Sequence, residues 1–129
     1  MRGWPGILRS LVPGLLLLAA CGSARVVEIG EEPARTVEVE VGQEFALAVE
    51  TNASIGWEWE LTGQPDPQVA RFLGREYEAD DPEAVGSGGK DLFRFLSEAP
   101  GKTTIGLTRM YRDEGPDRQV TVTVLVAEA

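Results

Sequence analysis

The stretch Asn52-Ala53-Ser54-Ile55-Gly56-Trp57-Glu58-Trp59-Glu60-Leu61 sets a turn-prone loop directly before a run with aromatic residues on one side. Asn52 and Ser54 carry short polar side chains that bond nearby backbone, and Gly56 tolerates a positive φ. Residues 52–56 therefore predict an exposed, shaped loop. Trp57, Trp59 and Leu61 then alternate with Glu58 and Glu60, the period of a strand with one face buried and the other in water.

The same alternation extends in both directions. Residues 36–41 read Thr-Val-Glu-Val-Glu-Val, Gly42-Gln43 turns the chain, and residues 45–49 alternate again. After Leu61, the segment Thr62-Gly63-Gln64-Pro65-Asp66-Pro67 breaks the pattern, because a glycine and two prolines cannot continue a paired strand. Residues 69–73 read equally as a strand or as a single helical turn, and residues 76–78 as the start of a strand that frays into the acidic run 79–84. Residues 92–96, 103–111 and 119–127 predict three further strands, separated by Pro100-Gly101 and Gly115-Pro116. No stretch keeps helical periodicity for three turns. The pattern predicts an all-β protein, an antiparallel β-sandwich of about seven to eight strands. Its expected core is Val37, Val39, Val41, Phe45, Leu47, Val49, Trp59, Leu61, Phe93, Phe95, Ile105, Leu107, Val120, Val122 and Val124. With a single cysteine in the chain, no internal disulfide is available, so this packing must hold the sheets together.

The first 20 residues have a different composition. Arg2 and Arg9 precede an apolar run through Leu15-Leu16-Leu17-Leu18, which ends in Ala19-Ala20-Cys21-Gly22. A charged start, a short apolar run and small residues at the cut predict a secretory signal peptide, removed on export. Leu18-Ala19-Ala20-Cys21 resembles the bacterial lipobox, whose cysteine is acylated and becomes the mature N-terminus. Lipidation at Cys21 accounts for the odd thiol in an exported chain. Anchoring by two or three acyl chains is stable, whereas one chain binds only marginally. Gly22 after the cysteine favours the outer membrane or cell surface within the cell envelope. Residues 21–34 then read as the lipidated cysteine and a tether, with residues 26–29 forming at most a short edge strand, and residues 35–129 as one globular domain.

All 21 acidic residues lie beyond position 21, against ten of the 12 basic ones, leaving that part with a net charge of −11. Such a surface repels nucleic acid, so no nucleic-acid partner is expected. The chain has no histidine, which rules out Ser-His-Asp and Cys-His nucleophilic arrangements. Without histidine or a cysteine cluster no zinc or copper site is expected, and Asp80-Asp81 with Glu83 lacks the ligand spacing of a calcium loop. Glu38, Glu40, Glu58 and Glu60 sit on outward strand positions, where solvation keeps them ordinary. The residues argue for binding rather than turnover, with no cofactor and no metal.

Two more stretches join the first. Gly86-Ser87-Gly88-Gly89 opens the strand Lys90-Asp91-Leu92-Phe93-Arg94-Phe95, and Arg109-Met110-Tyr111 ends another before the turn Asp113-Glu114-Gly115-Pro116. Taken in order, these resemble the chagasin-like inhibitors of papain-type cysteine proteases. That family carries Asn-Pro-Thr-Thr-Gly-aromatic-x-Trp, then Gly-x-Gly-Gly leading into Phe-x-Phe, then Arg-Pro-Trp or Arg-Pro-Phe. The resemblance spans roughly Val37 to Val126. It implies an immunoglobulin-like sandwich that inhibits a papain-like cysteine protease reversibly and without a covalent bond; the chain is expected to be a monomer. It further implies that Asn52, Ala53, Ser54, Ile55, Gly56 and Trp57 enter the protease cleft. Gly86, Ser87, Gly88 and Gly89 would flank it on one side, and Arg109, Met110 and Tyr111 on the other. The chain departs from the family at Ala53 for proline, Ile55 for threonine and Met110-Tyr111 for Pro-Trp. The alternative is a structural or adhesive immunoglobulin-like envelope lipoprotein with a partner other than a protease.

Overall fold

The computed structural model describes residues 24–81, 83 and 88–129. The signal sequence, Cys21, Gly86 and Ser87 lie outside the described residues. Eight strands follow in chain order: β1 (Arg25–Glu28), β2 (Ala34–Glu40), β3 (Glu44–Thr51), β4 (Trp57–Gly63), β5 (Ala70–Ala79), β6 (Gly89–Ser97), β7 (Gly101–Tyr111) and β8 (Pro116–Ala127). They form two four-stranded sheets, ordered β1-β3-β6-β5 and β2-β8-β7-β4.

Two pairings are parallel, β1 with β3 and β2 with β8, and the rest are antiparallel. Between β1 and β2, at residues 29–33, the chain leaves the first sheet and re-enters as the edge of the second. Arg35 fixes this crossover by donating from Nη1 to the Glu28 carbonyl at 2.5 Å. Val27 and Ile29 are buried, so the N-terminal segment contributes to the core.

The core is apolar and continuous between the sheets. Phe45 and Phe95 stack with centroids 5.3 Å apart, and Phe72 leans on Phe95 at 5.4 Å. Of the residues expected inside, Val41 and Leu61 are only partly buried, packing at its rim. Strand β3 departs from simple alternation, since Ala46 and Ala48 on its outer face are buried as well. Small side chains are shaded there by their cross-strand neighbours: Ala46 lies between Val26 and Arg94, and Ala48 next to Leu92. Arg94 spans the face, bonding Glu44 at 2.7 Å and Glu76 at 3.2 Å.

Residues 69–79 hold the largest correction to the sequence reading. In place of a short ambiguous element and a fraying one, there is a single ten-residue strand, β5, with a register shift between Phe72 and Gly74. The extra residue re-aims the strand so that Phe72 packs on the core while Arg75 still reaches the buried Asp91, at 2.5 Å.

Candidate functional site

Strand register gathers the three predicted loops at one end of the sandwich. Thr51, at the end of β3, lies opposite Gly89, which also pairs with Ala79 at the end of β5. Trp57, the first residue of β4, lies opposite Tyr111, the last of β7. The strand ends that carry the β3–β4, β5–β6 and β7–β8 connections therefore lie together. Arg25 starts β1 level with Phe45, at the opposite end.

The first loop is closed by its own backbone. Asn52 and Trp57 form an isolated bridge around a 3-10 turn over Ala53–Ile55, with the Trp57 amide donating to the Asn52 carbonyl at 3.0 Å. The Asn52 side chain accepts from the Ser54 amide at 3.1 Å. At the base, the Thr51 hydroxyl donates to the Trp57 carbonyl at 2.7 Å. Gly56 has φ +92°, which glycine adopts without strain. This closure turns the apolar side chain of Ile55 outward, 42% exposed.

Below it, Trp59 is buried and donates its indole N–H to the Glu50 carbonyl at 2.7 Å. Trp57 shares the face of Trp59 by alternation but is not among the expected core residues, and it is only half-buried. It belongs to the last cross-strand pair before the loops, where a guanidinium rather than the opposing sheet covers it. Arg109 stacks over its ring at 4.5 Å and makes two bonds to Asp117, both 2.9 Å. The Asp117 pair holds the guanidinium more firmly charged than usual, and the same bonds pull the Asp117 carboxyl below its ordinary range. Arg109 thus faces Trp57 and Asp117 and is only 19% exposed, while Met110 and Tyr111 are half-buried beside it.

In the second loop, Gly88 and Gly89 are described. The Gly88 carbonyl accepts from the Asp80 amide at 3.1 Å, and a Cβ on Gly88 would sit 3.3 Å from the Asn52 side chain. The first and second loops therefore touch.

Three contributors are absent from the sequence expectation. Arg112, in the 3-10 turn Arg112–Glu114, lies across the first loop: its amide donates to the Gly56 carbonyl at 2.9 Å and its Nε to the Ile55 carbonyl at 3.2 Å. No motif in the sequence marks it. Asp117 had a signal, since a hairpin turning over residues 112–116 brings positions 109 and 117 side by side. The third is the turn at residues 30–33, read as tether, which returns to the same end as the loops. Arg118 holds it, bonding the Gly30 carbonyl at 2.7 Å and Glu31 at 3.3 Å. Between this turn and Trp57 runs an open groove of 480 Å³, with Ile29, Glu50, Trp59 and Arg109 in its lining.

Chemically, this end offers an exposed apolar tip, aromatic rings and fixed backbone. Among the described residues there is no grouping of acids that could hold a metal ion.

Residues 38–126 match the family described as chagasin family peptidase inhibitor I42. No curated protein sequence matches the chain. Among solved structures, it is similar to the cysteine protease inhibitor EhICP2 from Entamoeba histolytica, with TM-score 0.64 and 19% identity over 81% of this chain and 96% of that one. Amebosin follows at TM-score 0.60 and 22% identity, covering 82% of this chain and all of that one. PbICP-C, solved in complex with falcipain-2, gives TM-score 0.52 and 16% identity over 82% and 100% of the two chains. At these identities the structural likeness speaks to the fold.

Proposed function

This chain belongs to the chagasin family of peptidase inhibitors, and we propose that it blocks papain-like cysteine proteases reversibly by filling their active-site cleft with three loops. The observation that carries this reading is the register that brings the ends of β3, β5 and β7 together. Residues 52–57 form the central element of the wedge, with Ile55 at its tip. Gly86 to Gly89 flank it on one side and Arg109, Met110 and Tyr111 on the other. In this chain Arg109 acts chiefly by fixing Trp57, and the exposed contact falls to Ile55 and the backbone around it. Loops already closed by internal bonds lose little freedom on binding, so tight inhibition needs no covalent step. The partner is a papain-like cysteine protease.

The proposal extends to the leader: Cys21 carries the lipid that holds the protein at the outer membrane or cell surface. This fits the position of Arg25 at the end away from the loops, since a membrane on that side leaves the wedge pointing outward.

The test is a titration of the domain from Gly22 to Ala129 against papain and a cathepsin L-type protease, following cleavage of a fluorogenic peptide. Stoichiometric loss of activity with the inhibitor recovered uncut supports the wedge. A folded domain that leaves both proteases active at high concentration overturns it. Labelling of the intact protein with a radioactive fatty acid, lost on Cys21→Ser, tests the anchor.

A further inference from the structure

Arg112 has φ +50°, the only positive φ outside glycine among the described residues. A residue with a Cβ is strained in that region and persists there only where its surroundings impose it. Its surroundings here are the first loop. The Arg112 amide bonds the Gly56 carbonyl and its Nε bonds the Ile55 carbonyl. Its aliphatic stem lies directly over Gly56, so that a Cβ on Gly56 would come within 2.3 Å of the Arg112 Cγ. Its guanidinium rests 5.3 Å from the centre of the Tyr111 ring. One side chain thus ties the apolar tip of the first loop to the aromatic residue of the third, and the backbone strain at residue 112 is the cost of that tie.

We infer that Arg112 is a positioning residue for inhibition, locking the Ile55–Gly56 segment against Tyr111 so that two loops meet the protease as one rigid body. Gly56 then has a second role besides its own φ: the missing side chain is the space that Arg112 occupies. This rests on the inhibitory reading of the three loops and adds to it the device that preorganises them. Arg112 touches the reacting cleft through Ile55, not by itself.

The inference separates stability from function. Replacing Arg112 by glycine removes the strained φ together with the side chain, so Arg112→Gly keeps or raises the melting temperature. With only the backbone bond to the Gly56 carbonyl left, the binding-competent loop is a smaller fraction of the population, and the apparent affinity falls by that fraction. With about one molecule in ten competent, inhibition weakens about tenfold, mainly through slower association. Arg112→Lys retains the charge but offers no Nε donor at the Ile55 carbonyl, so it weakens inhibition to a similar degree while keeping the strain.

Amide hydrogen exchange on the free protein decides the matter independently of any protease. We expect faster exchange at the amides of Ile55, Trp57 and residue 112 in Arg112→Gly, with β6 and β7 unchanged. Unaltered exchange at those amides overturns the inference, whether or not inhibition is affected. Weaker inhibition with unaltered exchange would make Arg112 a direct protease contact, which also overturns it. Inactivity of the unmodified protein would remove the proposed function, yet faster loop exchange in the variant would still establish the tie.

Discussion

The guanidinium of Arg109 lies 4.5 Å over the ring of Trp57, and Asp117 fixes it there through both carboxylate oxygens. The third loop is thereby fastened to the strand that carries the first. A cation over an indole is attracted by the ring quadrupole, and a planar guanidinium can stack and bond a carboxylate at once. An ammonium cannot do both.

Arg109→Lys should therefore lower stability by about 0.5 to 2 kcal/mol, the range for a cation–π contact between the exposed and the desolvated case. Chemical denaturation measures the loss, and the fluorescence of Trp57 should shift toward that of a more hydrated indole.

Because its bond to Arg109 lowers the Asp117 pKa below the ordinary 3.8, the pair adds stability that is fully present above that ordinary value. It is lost as pH falls through the lower folded value. The cover over Trp57 should hold at pH 5 and loosen only under strong acid. Trp57 fluorescence against pH, compared with Asp117→Asn, checks this: the variant should show no such acid transition.

Trp59→Phe keeps the buried ring but removes the indole donor 2.7 Å from the Glu50 carbonyl. Losing this part-buried bond costs about 0.5 to 1.5 kcal/mol. The urea midpoint should drop accordingly, with inhibition of the surviving folded protein unchanged.

At Gly89 a Cβ would sit 2.5 Å from the Glu78 carbonyl oxygen and 2.7 Å from the Tyr77 hydroxyl. The ring of Tyr77, itself 60% exposed, can swing away, but the backbone oxygen belongs to the β5–β6 ladder. Gly89→Ala should cost about 1 to 3 kcal/mol, as overpacking does, read as a lower melting temperature.

Ile55→Ala should leave stability within about 0.5 kcal/mol, because the side chain makes no core contact. Inhibition should weaken on the order of tenfold, the effect of losing about 1.4 kcal/mol at an interface anchor. Equal stability with unequal inhibition constants is the expected pair of measurements.

The core was legible because strands impose period two: Val37, Val39, Val120, Val122 and Val124 alternate with polar residues and are buried. Strand β5 was not, since a bulge at Phe72 to Gly74 shifts the period midway, and the burial of Ala46 and Ala48, outside the expected core, depends on shading by Arg94 and Leu92 across the sheet. At the site, Asn52, Ser54 and Gly56 announced a shaped loop through their own side-chain and backbone chemistry. The role of Arg109 was read from a motif, and its attachment to Asp117 instead depends on how the hairpin between β7 and β8 turns.

What each residue can do locally, whether to alternate across a pleat, cap a turn, adopt positive φ or supply charge, follows from its side chain and its neighbours in the chain. That sufficed for an all-β core and for three candidate loops. Which of those groups meet depends on the fold as a whole. Arg112 over Gly56, Arg109 on Trp57 and the return of residues 30–33 to the loop end all arise from register between strands distant in the chain. Register is set by the whole buried face at once, so no short stretch contains it.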